Sequence, residues 1–418
     1  MTGPARILLA DADQFFVAVA RLVDPEGAGK AALLIVGGAP GSRGVVCSAS
    51  YETRKFGVRS AMPISRALRL CPDALCVPVP RGACSAKSRE IRTVLERFTP
   101  VVRGASIDEW YLDLGGTEAL YHHEPLEVTA RRIRDAVTAD TGLSVSLGGG
   151  SNRLIAKLAV EFAKPKPGSD GTGVFVVAPD DGPRFMAERI ALADIPGIGP
   201  KFQRELAVRD LVRVADILPY DQATLVRWFG ERTGAWLWQR ARGIGDANVS
   251  PREAQKQVSR EDTFSHDLAT DADIARELLR LASKVAADLR GEGLVARTVT
   301  VKLKYADFTI RTASRTLSEP IEADRPVSEV ASALLASLRR RRGGPVRLVG
   351  VGLSGLLDAG DRQLSMFDTL SRNARLAPGT EVSAETDRDR TVSHVLDAVR
   401  DRFGPRAIRL GAPERRSD

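Results

Sequence analysis

Apolar and polar residues alternate with two different periods through the first 178 positions of the chain. Short apolar runs predict strands at 6–10, 32–36, 45–49 and 144–147, and a strand hairpin at 101–114. Apolar residues spaced three or four apart predict amphipathic helices at 15–22, 84–98, 124–140 and 152–163. Strands that alternate with helices in this way are typical of an α/β fold.

The pattern changes in the rest of the chain. Residues 180–245 predict short helices with turns, and 246–257 form a polar, basic linker. Strand–helix alternation then returns over 258–357, with strands near 297–305, 309–316 and 346–353 and helices near 272–290 and 327–341. The tail from 358 is rich in Arg and Asp. Its one helical segment, 391–403, has an apolar face that packs on the body or binds a partner: Val392, Val395, Leu396, Val399 and Phe403.

Composition limits the classes of protein that the chain can belong to. A chain of 418 residues is too long for one ordinary core and predicts roughly two to four domains. Its 43% hydrophobic and 27% charged residues are normal for a globular protein. The net charge of +8 favours a polyanionic partner.

Two further features indicate a cytoplasmic protein without a membrane contact. The apolar runs are too short to span a bilayer, and the N-terminus lacks the core of a signal peptide. Four cysteines have no Cys-x-x-Cys spacing and no nearby histidine, so we expect reduced thiols and no zinc site: Cys47, Cys71, Cys76 and Cys84.

Carboxylates stand at the ends of two apolar strands. Asp11 closes the first strand, and Asp108 and Glu109 lie in the predicted hairpin. Such oxygen ligands suit Mg²⁺, and two-metal catalysis needs carboxylates that bridge ions roughly 3.5–4 Å apart. Since neighbouring strand residues point to opposite faces, Asp108 and Glu109 can share a cluster only if the strand turns or bulges. The spacing alone equally allows acids that cap strand ends or pair with arginines.

Basic and hydroxyl side chains that could hold phosphates are also present. Tyr51 and Arg54 are three positions apart on a predicted helix, so they share a face. Lys164 ends the helix that follows the glycine run 148–150. Each basic residue here, taken singly, is by default a solvated surface residue, and only its convergence with the acids points to phosphate binding.

Four segments together resemble the signature segments of Y-family translesion DNA polymerases, in particular the bacterial DNA polymerase IV branch. They are 11–16 (Asp-Ala-Asp-Gln-Phe-Phe), 50–58 (Ser-Tyr-Glu-Thr-Arg-Lys-Phe-Gly-Val), 106–109 (Ser-Ile-Asp-Glu) and 152–165. The resemblance covers about residues 5–357. It departs from the family at Ala12 and Gln14, which are often aromatic there, at Trp110, where a small residue is common, and at 164–168, which differs from Lys-Pro-Asn/Asp-Gly.

The resemblance implies roles for individual residues. Asp11, Asp108 and Glu109, with the carbonyl of Ala12, would bind two Mg²⁺ ions, for which Mn²⁺ could substitute. The incoming triphosphate would contact Tyr51, Arg54 and Lys164. Phe16, beside Phe15, would be the steric gate against a ribose 2′-hydroxyl; without the resemblance, the sequence favours a core aromatic on an amphipathic helix at this position.

The resemblance also implies an α/β (α+β) multidomain polymerase shaped like a right hand. The predicted parts are a palm with a mixed or antiparallel sheet (1–14 and 82–171), small fingers (15–81), a helical thumb with a helix-hairpin-helix element (172–245), the linker (246–257), an α/β little finger (258–357) and a C-terminal tail (358–418).

DNA contacts are predicted in the thumb and the little finger. Gly197, Gly199 and Lys201 resemble the phosphate-binding hairpin of a helix-hairpin-helix element, although an ordinary glycine turn has the same pattern. The predicted little-finger strands carry Lys302 and Lys304, and then Arg311 and Arg315, which fits a sheet that tracks phosphates or a solvated sheet face. Arg339–Arg342 adds basic charge near a helix end.

A short peptide in the tail resembles the segment by which bacterial polymerases bind the sliding clamp. Leu364, Met366 and Phe367 would fill apolar pockets, and Gln363 would form hydrogen bonds.

These observations favour a monomeric DNA polymerase that adds dNTPs to primer-template DNA, and the resemblance implies that its copying has low fidelity. Two alternatives remain at this point. A catalytically inactive accessory protein that binds DNA and clamp would typically have lost the three carboxylates. A two-metal nuclease would share the carboxylates but has no need of a triphosphate grip or of Phe16.

Overall fold

The computed structural model describes residues 5–165, 171–250, 255–361, 385–404 and 407–408. The chain forms two compact units, Met1–Glu253 and Ala254–Asp418, and the division falls inside the predicted linker. Among the residues described, no helix is long and apolar enough to cross a membrane. The four cysteines are free thiols.

The elements of the first unit follow the sequence pattern closely. Its strands are β1 (Ile7–Ala12), β2 (Leu34–Gly37), β3 (Val46–Ala49), β4 (Leu75–Pro78), β5 (Val102–Gly104), β6 (Glu109–Asp113), β7 (Val145–Gly150) and β8 (Val174–Val176). Its helices are α1 (Phe15–Val23), α2 (Tyr51–Lys55), α3 (Ile64–Leu70), α4 (Arg81–Leu95), α5 (Leu126–Thr141), α6 (Arg153–Ala163), α7 (Gly182–Arg189), α8 (Pro200–Ala207), α9 (Val214–Ile217), α10 (Gln222–Phe229) and α11 (Glu231–Ala241). The sequence did not predict β4, β8 or α3, which are too short for a clear period.

The main sheet has the strand order β5-β6-β1-β7-β8 and is mixed, since only β7 and β8 are parallel. One face of β1, with Leu8 and Ala10, packs on residues of α1, α4 and α5. The other face, with Ile7 and Leu9, packs on Ala156 and Val160 of α6. Every residue of β1 is therefore buried, and odd-numbered positions of β1 face α6.

Gly148 allows α6 to lie directly on the sheet. A Cβ atom at this position would come within 2.2 Å of the Val160 nitrogen and 2.3 Å of the Ala156 carbonyl oxygen. No side chain fits there, so α6 sits at a fixed, short distance from β7. Asn152 caps the helix by accepting a hydrogen bond from the Ile155 N–H (3.0 Å).

Two smaller cores complete the first unit. The sheet β3-β2-β4 packs on α3 through residues such as Ile35 and Ile64. Helices α7–α11 and one side of α6 enclose another apolar core, which includes Ile195, Ile198 and Leu237.

The second unit is an antiparallel sheet covered by helices on one face. Its strands are β9 (Gln257–Leu268), β10 (Leu294–Tyr305), β11 (Ile310–Ile321) and β12 (Val346–Asp358), in the order β11-β10-β12-β9, and its helices are α12 (Asp271–Gly291), α13 (Asp324–Arg341) and α14 (Asp387–Phe403). The sequence did not predict β9, because this edge strand exposes most of its polar side chains and shows no apolar alternation.

Helix α14 packs on the body of the second unit, which answers the question that its apolar face left open. Leu396 and Ser393 are buried, and the Arg325 guanidinium forms two bonds of 2.6 and 2.7 Å with the Asp389 carboxylate. Asp397 accepts from the buried Arg290 at 2.7 Å. Val392, Val395 and Phe403 stay exposed, so the helix is docked mainly by polar contacts.

Candidate active site

Asp11 and Glu109 lie opposite each other on neighbouring strands. The antiparallel register of β1 and β6 pairs Asp11 with Glu109, as it pairs Leu9 with Tyr111. Directly paired residues share a face of the sheet, and odd-numbered positions of β1 face α6. Both carboxylates therefore point to the side of the sheet on which α6 lies.

Asp108 comes next to the end of β1 through its backbone, and it lies outside the regular alternation of a strand. It lies in a bend immediately before β6 begins at Glu109. Its carbonyl oxygen accepts a hydrogen bond from the Ala12 N–H at 2.9 Å, and its carboxylate accepts one from the Ser106 hydroxyl. The chain thus turns where the sequence required a turn if adjacent acids were to serve one site.

Two lysines, one within α6 and one directly after it, neutralise the paired acids. The Lys164 ammonium is 2.9 Å from the Asp11 carboxylate and 2.6 Å from Glu161. Lys157 forms an ion pair with Glu109. Lys157 lies in the middle of α6, whereas Lys164 is the extended residue that directly follows the last turn of the helix.

Burial dominates the electrostatics of Asp11. Loss of solvent raises the pKa of this carboxyl from 3.8 to about 7, although the neighbouring Lys164 acts to lower it. Burial also acts to lower the pKa of Lys164, but Asp11 and Glu161 outweigh that effect and raise it, which keeps the ammonium charged. The site is therefore one in which a carboxylate needs a cation beside it.

The donors available here fit a hard divalent cation. Carboxylate oxygens of Asp11, Asp108 and Glu109 are the ligand type that Mg²⁺ prefers, and lysine ammonium groups already stand beside two of them. Within the described part of the chain, no three His, Cys, Asp or Glu side chains are close enough together to hold a metal ion unaided. A bound ion that used all three carboxylates would therefore need these side chains to come closer together than they are here.

The predicted phosphate-binding residues lie next to these acids. The Tyr51 N–H donates to the Gln14 side-chain oxygen at 3.1 Å, which ties α2 to the junction of β1 and α1. The Arg54 guanidinium stands 5.2 Å from the centre of the Tyr51 ring and donates to the Ala49 carbonyl at 2.9 Å. Burial, followed by the nearby Asp13 charge, raises the pKa of Tyr51, while Arg54 and Lys164 act to lower it.

The two phenylalanines have different surroundings. Phe15 is 2% exposed and belongs to the core beneath the main sheet. Phe16 is half-buried and packs edge-on against Phe15, with ring centres 5.5 Å apart. Of the two rings, Phe16 therefore offers more surface to a bound molecule.

Family models match both units of the chain. The impB/mucB/samB family matches residues 10–161, which contain the three carboxylates and Lys157, and the impB/mucB/samB family C-terminal domain matches residues 255–366. A protein described as DNA polymerase IV in Gluconobacter oxydans is 38% identical over 350 residues, covering 84% of this chain and 94% of that relative. The chain belongs to the Y-family of DNA polymerases.

Other relatives of this Y-family chain extend the match in sequence and in structure. A DNA polymerase IV of Caulobacter vibrioides is 35% identical over 409 residues, covering 98% of this chain and 94% of that protein. A Y-family DNA polymerase chimera superposes with a TM-score of 0.74 at 25% identity, covering 84% of this chain and 99% of the chimera. An insertion ternary complex of Dbh DNA polymerase gives a TM-score of 0.57 at 25% identity, with 84% and 98% covered.

Sequence reasoning did not single out two residues that lie beside the candidate site. Lys157 could have been found from its seven-residue spacing to Lys164 on one predicted helix. Asp13 accepts hydrogen bonds from the hydroxyls of Ser144 (2.8 Å) and Ser146 (2.7 Å), which fixes the end of β1 to β7. In the sequence, the only indication that Asp13 lies near the site was its position two residues after Asp11.

The predicted hairpin of the helical region has the geometry of a tight turn. Gly197 has a φ of +105° and lies against the Trp236 ring, and the Ile198 N–H donates to the Ile195 carbonyl at 3.0 Å. Gly199 precedes α8, whose first turn contains the exposed Lys201.

The basic residues of the second sheet fall on two faces rather than one. On β10, Lys302 and Lys304 alternate with the buried Val301 and Leu303, so they lie on the open face. On β11, however, Arg311 pairs with Leu303 and Arg315 with Val299. Both arginines therefore lie on the helix side, where Arg311 lines a cavity of about 290 Å³ with residues of the α13 end.

The predicted clamp-binding residues Gln363, Leu364, Met366 and Phe367 lie outside the described residues.

Proposed function

We propose that the site around Asp11, Asp108 and Glu109 adds nucleotides to a primer 3′-hydroxyl and releases pyrophosphate. The protein is a DNA-directed DNA polymerase of the translesion type. The observation that carries the assignment of the site is the register that sets Asp11 opposite Glu109, with Lys164 beside Asp11.

Asp11, Asp108 and Glu109, together with the Ala12 carbonyl, are the residues that would hold two Mg²⁺ ions. When bound, such ions neutralise charge on the attacking and leaving oxygens of the phosphoryl transfer. The chain's own contribution is to hold the carboxylates at adjoining strand ends, on a sheet that is rigid because both of its faces are packed.

Three side chains on two elements would position the triphosphate. Arg54 and Tyr51 offer a guanidinium fork and a phenol hydroxyl from α2, and Lys164 offers an ammonium from the end of α6. Their mutual electrostatic influence with Asp11 supports a single, convergent site. Phe16 would stand against the sugar and exclude a 2′-hydroxyl.

The remaining assignments follow the family pattern. The main sheet would form the palm, the β3-β2-β4 region the fingers, α7–α11 the thumb and the second unit the little finger. Primer-template DNA and a dNTP would be the substrates, and the peptide at 363–367 would bind a sliding clamp. We place a monomeric enzyme in the cytoplasm, where free thiols persist.

Primer extension tests the proposal directly. The protein is incubated with a primed DNA template, Mg²⁺ or Mn²⁺, and each dNTP or rNTP in turn, beside an Asp108→Ala variant. Template-directed addition of dNMP that disappears in Asp108→Ala is the expected result. Intact DNA binding without extension would instead indicate an accessory protein, and shortening of the primer would indicate a nuclease.

A further inference from the structure

Lys157 has a contact that the proposed reaction does not use. Its ammonium pairs with Glu109, and the side chains of the two residues are only 28% and 22% exposed. The parallel pair of Lys164 and Asp11 has exposures of 20% and 11%. Each of the two acids that face one another across β1 and β6 thus has its own lysine.

The backbone that carries Lys157 has little freedom to move. Gly148 lets the backbone of α6 touch β7 at Ala156 and Val160, on either side of Lys157, and Asn152 fixes the start of the helix. An ammonium group on a four-carbon stem can still change partners by rotation. Lys157 can therefore release Glu109 by a rotation of its own side chain, without a movement of α6.

Two facing carboxylates repel each other unless cations stand between or beside them. In the structure the cations are Lys157 and Lys164; during the proposed reaction they would be divalent ions on the same oxygens. We infer that Lys157 is a positioning residue that holds Glu109 when no divalent cation is bound and gives up that carboxylate when one binds. This inference rests on the proposed function, since it needs Glu109 to be a metal ligand.

Exchange between lysine and metal has a measurable consequence. A divalent cation must displace the ammonium before it can use Glu109, so the lysine lowers the affinity of the wild-type site for the ion. Removing the charge should tighten binding, whereas loss of a group that merely supports the fold would weaken it.

Manganese titration of the full-length protein, without DNA or nucleotide, tests this. We expect Lys157→Met to bind Mn²⁺ about two- to fivefold more tightly than the wild type, the upper range of a partly exposed ion pair, and Lys157→Arg to stay near the wild type. In a Glu109→Gln background, Lys157→Met should change the affinity less than twofold. Lys87→Met is the matched control, because Lys87 is also 28% exposed and pairs with Glu90 at 2.7 Å.

Thermal melting supplies a second readout that does not depend on activity. Added Mg²⁺ should raise the melting temperature of Lys157→Met by more than that of the wild type, since the variant lacks the resident cation. An equal rise, or an unchanged or weaker Mn²⁺ affinity, overturns the inference. If Asp11→Asn and Glu109→Gln leave Mn²⁺ binding unchanged, the carboxylates are not a metal site and the proposed site fails as well.

Discussion

Asp11 and Glu109 form a directly paired position in the antiparallel ladder of β1 and β6, and both side chains point toward α6. Their closeness comes from strand pairing between segments almost a hundred residues apart. A site built in this way depends on the charge of each acid and on the rigidity of both strands.

The first prediction concerns the charge of Asp11. Asp11→Asn keeps the shape of the side chain but removes the carboxylate, so we expect single-nucleotide addition to fall roughly 100-fold or more. Rapid-quench kinetics on primed DNA measures this. Asp113→Asn, at the other end of β6 and opposite Ile7, should stay within about threefold of the wild type. Asp11→Asn with near-normal rates would remove this carboxylate from the proposed mechanism.

The second prediction concerns sugar selection by Phe16. The ring is half-buried against Phe15, so Phe16→Ala removes a rigid wall, and the preference for dNTPs over rNTPs should drop about 10- to 100-fold. Incorporation of each dNTP and rNTP is compared under single-turnover conditions. Phe202→Ala is the control, since that half-buried ring also packs edge-on, 5.3 Å from Phe229. Equal discrimination in the wild type and Phe16→Ala would exclude the gate.

The third prediction concerns the link between Gln14 and Tyr51. Gln14 has a left-handed backbone (φ 48°) and accepts the Tyr51 N–H. Gln14→Ala should weaken dNTP binding by about fivefold, because a hydrogen bond of about 1 kcal/mol that positions α2 is lost. Gln14→Gly separates this effect from backbone strain, since glycine adopts the same φ without cost. Normal dNTP affinity in Gln14→Gly would show that the hydrogen bond has no role.

The fourth prediction follows from the register of the second sheet. Lys302 and Lys304 lie on its open face, and Arg311 and Arg315 lie on the helix side. We plot the logarithm of the DNA-binding constant against the logarithm of the salt concentration. Replacing both lysines by alanine should reduce the magnitude of this slope by about 2, and replacing both arginines by alanine should reduce it by less than 1. DNA-binding titrations at several salt concentrations give both slopes. A larger effect from the arginines would place the DNA on the other side of β11.

The fifth prediction concerns the docking of α14. Hydrogen bonds from Arg325 hold the pKa of Asp389 well below its usual range. A lowered pKa in the folded state stabilises docking above the ordinary value of about 3.9, and that stabilisation is lost as the pH falls below it. Asp389→Asn should mimic the acid state at pH 7.

Hydrogen exchange of 387–403 measures this effect. Asp389→Asn should exchange about two- to fivefold faster there than the wild type. Asp401→Asn, an exposed position on the same helix, should not change the rate. Unchanged protection in Asp389→Asn would mean that Leu396 and Ser393 hold the helix without the ion pair.

The sequence by itself determined most elements of the protein and the identity of its key side chains. The spacing of apolar residues predicted β1, α1, α6, β10 and α13 close to their observed bounds. It could do so because this spacing reflects which positions of a helix or strand are buried. The sequence required a turn before Glu109 if the two adjacent acids were to share a site, and the chain does bend at Asp108, although a shared site stays a prediction. Short or edge elements such as β4, β8 and β9 escaped prediction, since few of their residues are buried on one regular face.

Only the tertiary structure decided which side chains meet. The sequence showed that Arg311 and Arg315 share a face, but the pairing of β11 with β10 decided that this face is the one beside the helices. It likewise showed Lys157 on a helix, but the approach of α6 over Gly148 decided that this lysine reaches Glu109. The physical reason is that periodicity is a local property, whereas strand register and helix placement depend on contacts between distant segments.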